Sequence, residues 1–339
     1  MHRIAASLAR VPLLAPVLLL LLALPACAAQ DDHYHLRDSA RFSCMSDASA
    51  GVAVSNNLFV AASDEDNVLR VYDSSKPGPP VQTLDCNAFL EVTGKNAEAD
   101  LEGAAAIGNR IFWIGSHGRN REGKDRPNRC RLFATDFRTE NGTVVLNFAG
   151  KPYKSLLPVL VSDPRLNLYH LGEAASHAPK QRGALNIEGL AATPEGHLLI
   201  GFRNPIPKGR ALVVPLLNPN DVIEGKSAHL GPPIELKLDG DGIRDLAWTG
   251  SDYLIIAGSF AAGHKSKLYR WRGPSGAEPE KLRVKHFDEY NPEGIILYPG
   301  SPRIQILSDD GSEEVEGVEQ KLLPDPALRT FRSFWLEPK

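Results

Sequence analysis

One short phrase recurs three times in the chain. Residues 100–104 are DLEGA, residues 186–190 are NIEGL and residues 291–295 are NPEGI. Each copy is followed at a similar distance by an apolar stretch, at residues 111–115, 198–202 and 304–308. Such a repeat indicates a stacked or circular array of similar units, and it outweighs the local propensity of any one segment. We therefore predict an all-β fold, and within that class a β-propeller.

Two weaker copies, at residues 51–62 and 243–258, extend the array. The equivalent positions are then Gly51, Gly103, Gly189, Asp245 and Gly294. Their spacing is close to the roughly 40 to 50 residues of a propeller blade, except for the interval between the second and third positions. The excess lies around residues 151–185, where we predict a helical or loop insertion. Five four-stranded blades are the preferred prediction, and six blades are the alternative.

The last blade is one strand short when strands are counted along the chain. It ends in an apolar strand at residues 331–336, and we predict that residues 36–43 supply the missing strand. A closure of this kind removes the open sheet edges that favour aggregation.

The first 28 residues are predicted to be an export signal. Arg3 and Arg10 precede an apolar run at residues 11–24, and small residues follow it. The run is shorter than the about 20 residues of a membrane-spanning helix. We expect a periplasmic or secreted protein with one propeller domain at residues 29–339 and no transmembrane segment. A lipid anchor at Cys27 is the alternative, because residues 24–27 resemble a lipobox.

Charge and cysteine content limit the function classes. The formal net charge is −3 and there is no long basic run, which argues against nucleic acid as a partner. Cys44, Cys86 and Cys130 allow at most one intramolecular disulfide, for which the first two are the candidates. The sequence has neither the ligand spacing of a zinc site nor a phosphate-binding glycine loop.

The residues before the five equivalent positions are expected to converge on the propeller axis. They are Ala50, Glu102, Glu188, Arg244 and Glu293. Crowded carboxylates raise one another's pKa values, and a cation or an arginine offsets the repulsion. The three glutamates could therefore bind Ca²⁺ or hold a proton for acid catalysis. The structural alternative is that they fix the register between blades.

The second strand of each blade is expected to end near the mouth of the channel that runs along this axis. We predict that Arg119, Arg203 and Asn204 bind an anionic group there, with His117 as a further donor, because guanidinium groups bind phosphate or carboxylate in a bidentate manner. Acidic residues after other strands are either turn residues or additional cation ligands, namely Asp64, Asp66, Asp309 and Asp310.

Several of these segments resemble a known family. Residues 113–120 (WIGSHGRN), 200–205 (IGFRNP) and 242–244 (GIR), together with the first two copies of the phrase, resemble the bacterial domain-of-unknown-function family 3616. The resemblance implies an exported, propeller-like protein whose activity has not been assigned. The repeated phrase is also similar to that of esterase-like phytase propellers, which implies phosphoester hydrolysis.

The sequence therefore predicts a metal-dependent hydrolase of a small anionic or phosphorylated molecule, with Ca²⁺ as the cation. The alternative is a non-catalytic propeller that binds a small ligand or an envelope protein. The predicted catalytic residues are Glu102, Glu188, Glu293 and His117. The predicted substrate-binding residues are Arg119, Arg203, Asn204 and Arg244, and the predicted metal ligands are the same three glutamates.

Overall fold

A computed structural model describes the chain over residues 33–95, 97–140, 143–261 and 265–339. The predicted signal sequence and the alternative lipid anchor at Cys27 lie outside these residues. The described residues belong to one compact unit built mainly from β-strands, so the all-β prediction is confirmed.

The amino-terminal strand, β1, is His33–Ser43, and three antiparallel four-stranded sheets follow it. The first contains β2 (Ala48–Ala53), β3 (Leu58–Ser63), β4 (Val68–Asp73) and β5 (Gln82–Asp85). The second contains β6 (Leu101–Ile107), β7 (Arg110–Gly115), β8 (Leu132–Glu140) and β9 (Thr143–Tyr153). The third contains β10 (Asn186–Ala192), β11 (Leu198–Asn204), β12 (Ala211–Leu216) and β13 (Ile234–Leu236).

The remaining long strands form one eight-stranded sheet. They are β14 (Gly242–Trp248), β15 (Tyr253–Gly258), β16 (Lys267–Trp271), β17 (Glu280–Val284), β18 (Pro292–Leu297), β19 (Ile304–Ser308) and β22 (Thr330–Pro338), together with β1. A separate small hairpin of β20 (Glu314–Val315) and β21 (Val318–Glu319) lies between β19 and β22 in the chain. The strand order is β14-β15-β16-β17-β1-β22-β19-β18. This sheet is two four-stranded runs, joined by a short parallel pairing of His33 with Arg283 and Tyr34 with Val284.

The amino-terminal strand completes the last run, as predicted. β1 pairs antiparallel with β22, and β22 lies between β1 and β19. The two ends of the described chain are therefore hydrogen-bonded to each other in one sheet.

The first strand of each four-stranded run packs against the first strand of the next. β2 contacts β6, β6 contacts β10, β10 contacts β14, β14 contacts β18, and β18 contacts β2. These contacts close a ring, which is the arrangement of a β-propeller. We call these five strands the inner strands.

Local sequence accounts for the strand boundaries. The turns between β6 and β7 and between β10 and β11 contain Gly108 and Gly196, whose φ angles of 63° and 80° suit glycine. The second strand of each run is covered on both faces by neighbouring sheets. Such strands are continuous apolar runs rather than alternating ones, and β15 (YLIIAG) is buried along its whole length.

A separate apolar cluster fills each space between neighbouring sheets. In the cluster between the first and last runs, Phe42 of β1 stacks on Phe331 of β22, with ring centroids 5.3 Å apart. Tyr72 of the first sheet meets the ring of Phe331 edge-on at 5.4 Å. The strand that closes the ring is therefore held by aromatic packing as well as by backbone pairing.

The helices are short and lie between strands. They are α1 (Asn87–Leu90), α2 (Leu156–Ser162), α3 (Leu171–Ala174) and α4 (Pro219–Ile223). The second and third, with a 3₁₀ helix at Pro164–Tyr169 between them, form the predicted insertion at residues 151–185. Leu156, Leu160 and Leu171 of the insertion are buried in the apolar cluster between the second and third sheets.

Cys44, Cys86 and Cys130 are all free in the part of the chain that the structure describes, so the expectation of a disulfide between the first two is wrong. Among the described residues no helix has the length and apolar character needed to span a membrane.

Candidate functional site

Each inner strand carries a β-bulge at the same place. The pairing with the second strand of the run shifts by one residue at Ser49, Glu102, Glu188, Arg244 and Glu293. A bulge leaves one residue out of the ladder and changes the direction of its side chain. Four of the five predicted axial residues are therefore at equivalent positions.

The first blade needs a correction of one residue. Ser49, not Ala50, is the bulged residue of β2, because Ala50 pairs with Ala62 as Gly103 pairs with Ile114. The Ser49 hydroxyl donates to the carbonyl oxygen of Leu101 at 2.5 Å, which joins β2 to β6.

Residues around the bulges line a cavity of about 760 Å³. Its lining holds ten acidic and seven basic side chains and includes Glu102, Glu188, Arg244 and Glu293. The excess of acidic groups means that an anion meets a net negative surface unless a cation is also bound.

Two of the glutamates belong to an arginine network. Arg203 donates from Nη1 to Oε1 of Glu188 at 2.6 Å and from Nε to the carbonyl oxygen of Ser259 at 3.0 Å. Arg244 is paired through Nη2 with Oε1 of Glu293, and its Nε lies 3.7 Å from Oε2 of Glu188. The network thus links β10, β11, β14 and β18. Glu188, Arg244 and Glu293 are buried, and the Arg203 side chain is 12% exposed.

An asparagine supports each of these two glutamates. Asn186 donates from Nδ2 to Glu188 at 2.8 Å, and Asn291 donates from Nδ2 to Glu293 at 3.4 Å. Both asparagines stand two residues before their glutamate, as the first letter of the repeated phrase. Asn291 also accepts from Arg244 Nη1 at 2.5 Å and donates to Asp309 at 3.0 Å.

The second blade departs from this pattern. Its phrase begins with Asp100, and an ionised carboxylate cannot donate a hydrogen bond to Glu102. The Glu102 carboxylate has neither a hydrogen bond nor an ion pair with the described residues. Asp100 itself accepts from Arg129 Nη1 at 2.8 Å.

Asp64, at the end of the second strand of the first blade, completes a carboxylate trio with Asp100 and Glu102. One oxygen from each residue lies within 4.8 Å of the others. Oδ1 of Asp64 is buried without a hydrogen-bond partner in the described part of the protein. Three convergent carboxylate oxygens, one of them unpartnered, are the type of donor set that binds hard cations such as Ca²⁺.

Burial and mutual repulsion perturb the trio. Burial, reinforced by the charge of Glu188, holds the pKa of Glu102 well above its usual range. Burial and the charge of Asp47 do the same to the pKa of Asp64, and burial raises the pKa of Asp100 to about 6 despite the opposing charge of Arg129. A bound cation would relieve this repulsion and favour the ionised carboxylates.

The other acidic residues fall into two groups. Asp309 lines the cavity with Asp47, whose pKa is raised to about 7 by burial and by the charge of Asp309. Asp66 and Asp310 are instead bound to Arg70 and Arg332, each through an oxygen 2.6 Å from a guanidinium nitrogen. The last two are structural partners of arginines and do not line the cavity.

Three predicted site residues lie outside the cavity lining. After β7 ends, His117 takes a φ of 56° and its Nδ1 lies 2.8 Å from the carbonyl oxygen of Gly115. Arg119 donates from Nε to the carbonyl oxygen of Ala175 at 2.9 Å, and Asn204 donates to that of Gln181 at 2.7 Å. Arg119 and Asn204 therefore connect the insertion to the sheets. The prediction that His117, Arg119 and Asn204 lie at the mouth is corrected, because none of them lines the cavity.

Two cations of the cavity lining are unpaired. Arg126 and Lys180 have no ion pair with any described residue, whereas Lys321 lies 3.5 Å from Glu65. Sequence reasoning missed Arg126, Lys180 and Arg129, because their loops reach the cavity only through the folding of the chain. The change from asparagine to Asp100 was the sequence signal that could have identified the trio.

Comparison with known proteins assigns a family. The family described as "Protein of unknown function (DUF3616)" matches residues 47–136 and 134–291. The chain belongs to this family. The DUF3616 assignment confirms the family resemblance in the sequence. A search of curated proteins found no match.

Three solved structures illustrate distant likenesses. A glutaminyl cyclase from Myxococcus xanthus is 13% identical, with a TM-score of 0.46, and the match covers 91% of this chain and 100% of that chain. An aldose sugar dehydrogenase from Streptomyces coelicolor, in its PQQ-bound form, is 10% identical, with a TM-score of 0.40 and coverage of 89% and 99%. A gluconolactonase from Xanthomonas campestris is 12% identical, with a TM-score of 0.40 and coverage of 81% and 75%. At these scores the likenesses carry no argument about activity.

Proposed function

We propose that this DUF3616 protein is a metal-dependent hydrolase of a small anionic molecule, of the phosphoester class, with its cation held by Asp64, Asp100 and Glu102. The observation that carries the proposal is the replacement of the supporting asparagine by Asp100 in one blade. In the other two copies of the phrase, an amide donor and an arginine satisfy the glutamate. In the copy at residues 100–104, the carboxylates of Asp100 and Glu102 lie close to the carboxylate of Asp64.

As part of the same proposal, the fold is a five-bladed propeller in which each four-stranded run is one blade. The closed ring of five inner strands supports this count. Export to the periplasm or the medium, with cleavage of residues 1–28, is part of the same proposal and rests on the sequence pattern alone.

Calcium suits the trio better than a transition metal. All three donors are carboxylate oxygens, and no histidine or cysteine joins them among the described residues. The proposal moves the metal role from the three glutamates to Glu102 with Asp64 and Asp100. Glu188 and Glu293 are already paired with guanidinium groups, so they have less to gain from a cation.

The charges of the cavity lining explain why an anionic substrate would need the cation. Arg126 and Lys180 attract an anion, whereas the ten acidic side chains of the lining repel it. A divalent cation on the trio would remove much of that repulsion. The bound cation would polarise a phosphoryl oxygen and lower the pKa of a coordinated water.

Glu293 is the proposed proton donor. Burial, with a further contribution from Asp309, raises its pKa to about 8 even though Arg244 opposes the shift. One oxygen of Glu293 is paired with Arg244, so a proton on this carboxyl would be carried by the other oxygen, Oε2. A carboxylic acid kept protonated near neutral pH can donate to a leaving oxygen. Arg203 and Arg244 would fix the positions of Glu188 and Glu293.

The alternative is a non-catalytic propeller that binds an anionic ligand or an envelope protein. The mutual pairing of Glu188, Arg203, Arg244 and Glu293 favours it, because paired groups that join four strands serve the scaffold without any chemistry.

Hydrolysis of p-nitrophenyl phosphate by the purified protein, with Ca²⁺ or with excess chelator, tests the proposal. Activity should require Ca²⁺, and both Glu102→Gln and Glu293→Gln should lose it while remaining folded. Glu173→Gln, at an exposed position on α3, is the control and should keep full activity. Ligand binding without turnover of a panel of phosphoesters would favour the binding-protein alternative.

A further inference from the structure

A second cavity, of about 820 Å³, lies where β16, β17 and β1 meet. Its floor is apolar and includes Leu36, Leu282, Val284 and Phe287. The groove is formed because β1 and β17 pair over only two residues and then diverge. It is separate from the ring cavity, and the proposed hydrolase chemistry uses none of its residues.

The rim of this groove is strongly basic. Six lining side chains are lysine or arginine, whereas Asp288 is the one acidic side chain among the described lining residues. Asp288 is bound to Lys265, and Lys267 is 2.7 Å from Asp241. Lys281 lies 3.5 Å from Asp239.

Three cations remain without an acidic side-chain partner among the described residues. Arg283, Lys285 and Lys339 are exposed, and none has an ion pair with a described residue. The whole chain has a formal net charge of −3, so this groove is a local reversal of the protein's charge. Cationic side chains around an apolar floor complement a ligand with an anionic head and an apolar body.

The groove also marks the point at which the chain enters the described fold. Its first two paired residues, His33 and Tyr34, pair with Arg283 and Val284 in the groove wall.

We propose that this groove docks the protein on an anionic phospholipid membrane. Arg283, Lys285 and Lys339 contact headgroup phosphates, and the apolar floor accepts part of an acyl chain. Each lysine or arginine near such a surface contributes about 1 kcal/mol, so a cluster of three gives measurable, salt-sensitive binding. An acidic protein partner would use the same charges, and it is the outcome to be excluded.

Cosedimentation with vesicles tests this proposal with the protein obtained by expression of the full chain. Vesicles of phosphatidylcholine alone are compared with vesicles that also contain phosphatidylglycerol. We expect binding that depends on phosphatidylglycerol and falls as salt is added. A lipid anchor would bind both kinds of vesicle, so the difference between them is the quantity to measure.

A matched pair of double variants locates the surface. Lys285→Glu with Lys339→Glu should weaken the phosphatidylglycerol-dependent binding by about 30-fold or more. Lys151→Glu with Lys208→Glu makes the same charge change at exposed positions elsewhere and should bind like the wild type. If the groove variant does not fold, the glutamine substitutions at the same two lysines replace it.

Two results overturn the proposal. One is the absence of phosphatidylglycerol-dependent binding by the wild type: equal binding to both kinds of vesicle leaves only a lipid anchor, and no binding leaves a partner other than a membrane. The other is a groove variant that binds as well as the control variant.

Discussion

At the scale of single residues, one functional group distinguishes the second blade from the other blades that carry the repeated phrase. Asn186 and Asn291 donate to their glutamates, whereas Asp100 at the same position of the phrase cannot. The result is a trio of carboxylates in which Glu102 has no donor and Asp64 has a buried, unpartnered oxygen. We expect such a site to lower the stability of the protein unless a cation is bound.

Asp64→Asn should therefore stabilise the protein in the absence of metal. Its pKa lies well above the usual range through burial and neighbouring charges, so the folded state disfavours the carboxylate that the unfolded chain carries at neutral pH. We expect a gain of about 1 kcal/mol in the free energy of unfolding in chelator, measured with urea. The same variant should lose any stabilisation by Ca²⁺. A less stable variant in chelator would show that the trio is not strained without metal.

Glu188→Gln should behave in the opposite way. Its side chain is 5% exposed and is paired with Arg203, so its removal leaves a buried guanidinium without its anion. The expected loss is about 3 kcal/mol in the free energy of unfolding. Glu122→Gln removes the exposed pair with Arg121 and serves as the control, with a loss under about 1 kcal/mol. Equal losses in both variants would contradict the structural role of Glu188.

His117 predicts a specific pH dependence of stability. Burial lowers its pKa to about 4, against 6.5 for an exposed histidine. Between these values the unfolded chain binds a proton that the folded protein does not, so the free energy of unfolding decreases as the pH falls. The loss from this one group approaches about 3 kcal/mol near pH 4.

Urea unfolding at several pH values, for the wild type and for His117→Gln, isolates this contribution from the carboxylates that titrate in the same range. The variant should lose stability less steeply below neutral pH. His229→Gln changes an exposed histidine and should keep the wild-type slope. Parallel slopes for the wild type and His117→Gln would contradict the assignment.

At the scale of elements, the inner strands and the closing strand have different tasks. The bulge in each inner strand presents one residue per blade to the ring, whereas β1 and β22 hold the ring closed. Gly242 shows how closely the inner strands approach their neighbours, since a Cβ there would lie 1.9 Å from the carbonyl oxygen of Arg203. The position of Arg203, and with it the pair to Glu188, depends on this close approach.

Deletion of residues 330–339 should abolish folding. β22 lies between β1 and β19, so its loss leaves one open edge on each of these strands and exposes the faces that pack on Phe331 and Phe334. We expect the truncated protein to be insoluble, or to give a circular dichroism signal that shows no cooperative thermal transition. Removal of Lys339 alone, beyond the end of the strand, should have no such effect. A cooperative transition in the longer deletion would mean that the ring closes without β22.

Sequence reasoning predicted the elements better than the contacts between them. The repeated phrase located the bulged glutamates, since each bulge falls on the same letter of the phrase. It misplaced the first blade by one residue, because Gly51 resembles the glycine of the phrase while the bulge lies at Ser49. His117 and Arg119 were expected at the mouth, but the turn after β7 directs them to backbone carbonyls. The residue pattern of a single strand does not predict how the chain turns after that strand ends.

At the scale of the whole molecule, the ring closure brings together residues that are far apart in sequence. Asp64, Asp100 and Glu102 come from two blades, and their approach depends on the contact between β2 and β6. Charge is also divided between the two cavities, with an acidic excess in the ring cavity and a basic groove on the outer strands. The net charge of −3 conceals this division, so the sequence composition could not predict the second site.

The central claim is the cation site, and calorimetric titration of the purified protein with Ca²⁺ tests it most directly. The account predicts one class of site in the wild type and in Glu188→Gln, provided that this variant is folded, and no binding in Glu102→Gln. Saturation at about 100 times the dissociation constant should also stabilise the wild type by roughly 2.7 kcal/mol. Absence of binding in the wild type, or unchanged binding in Glu102→Gln, would contradict the account.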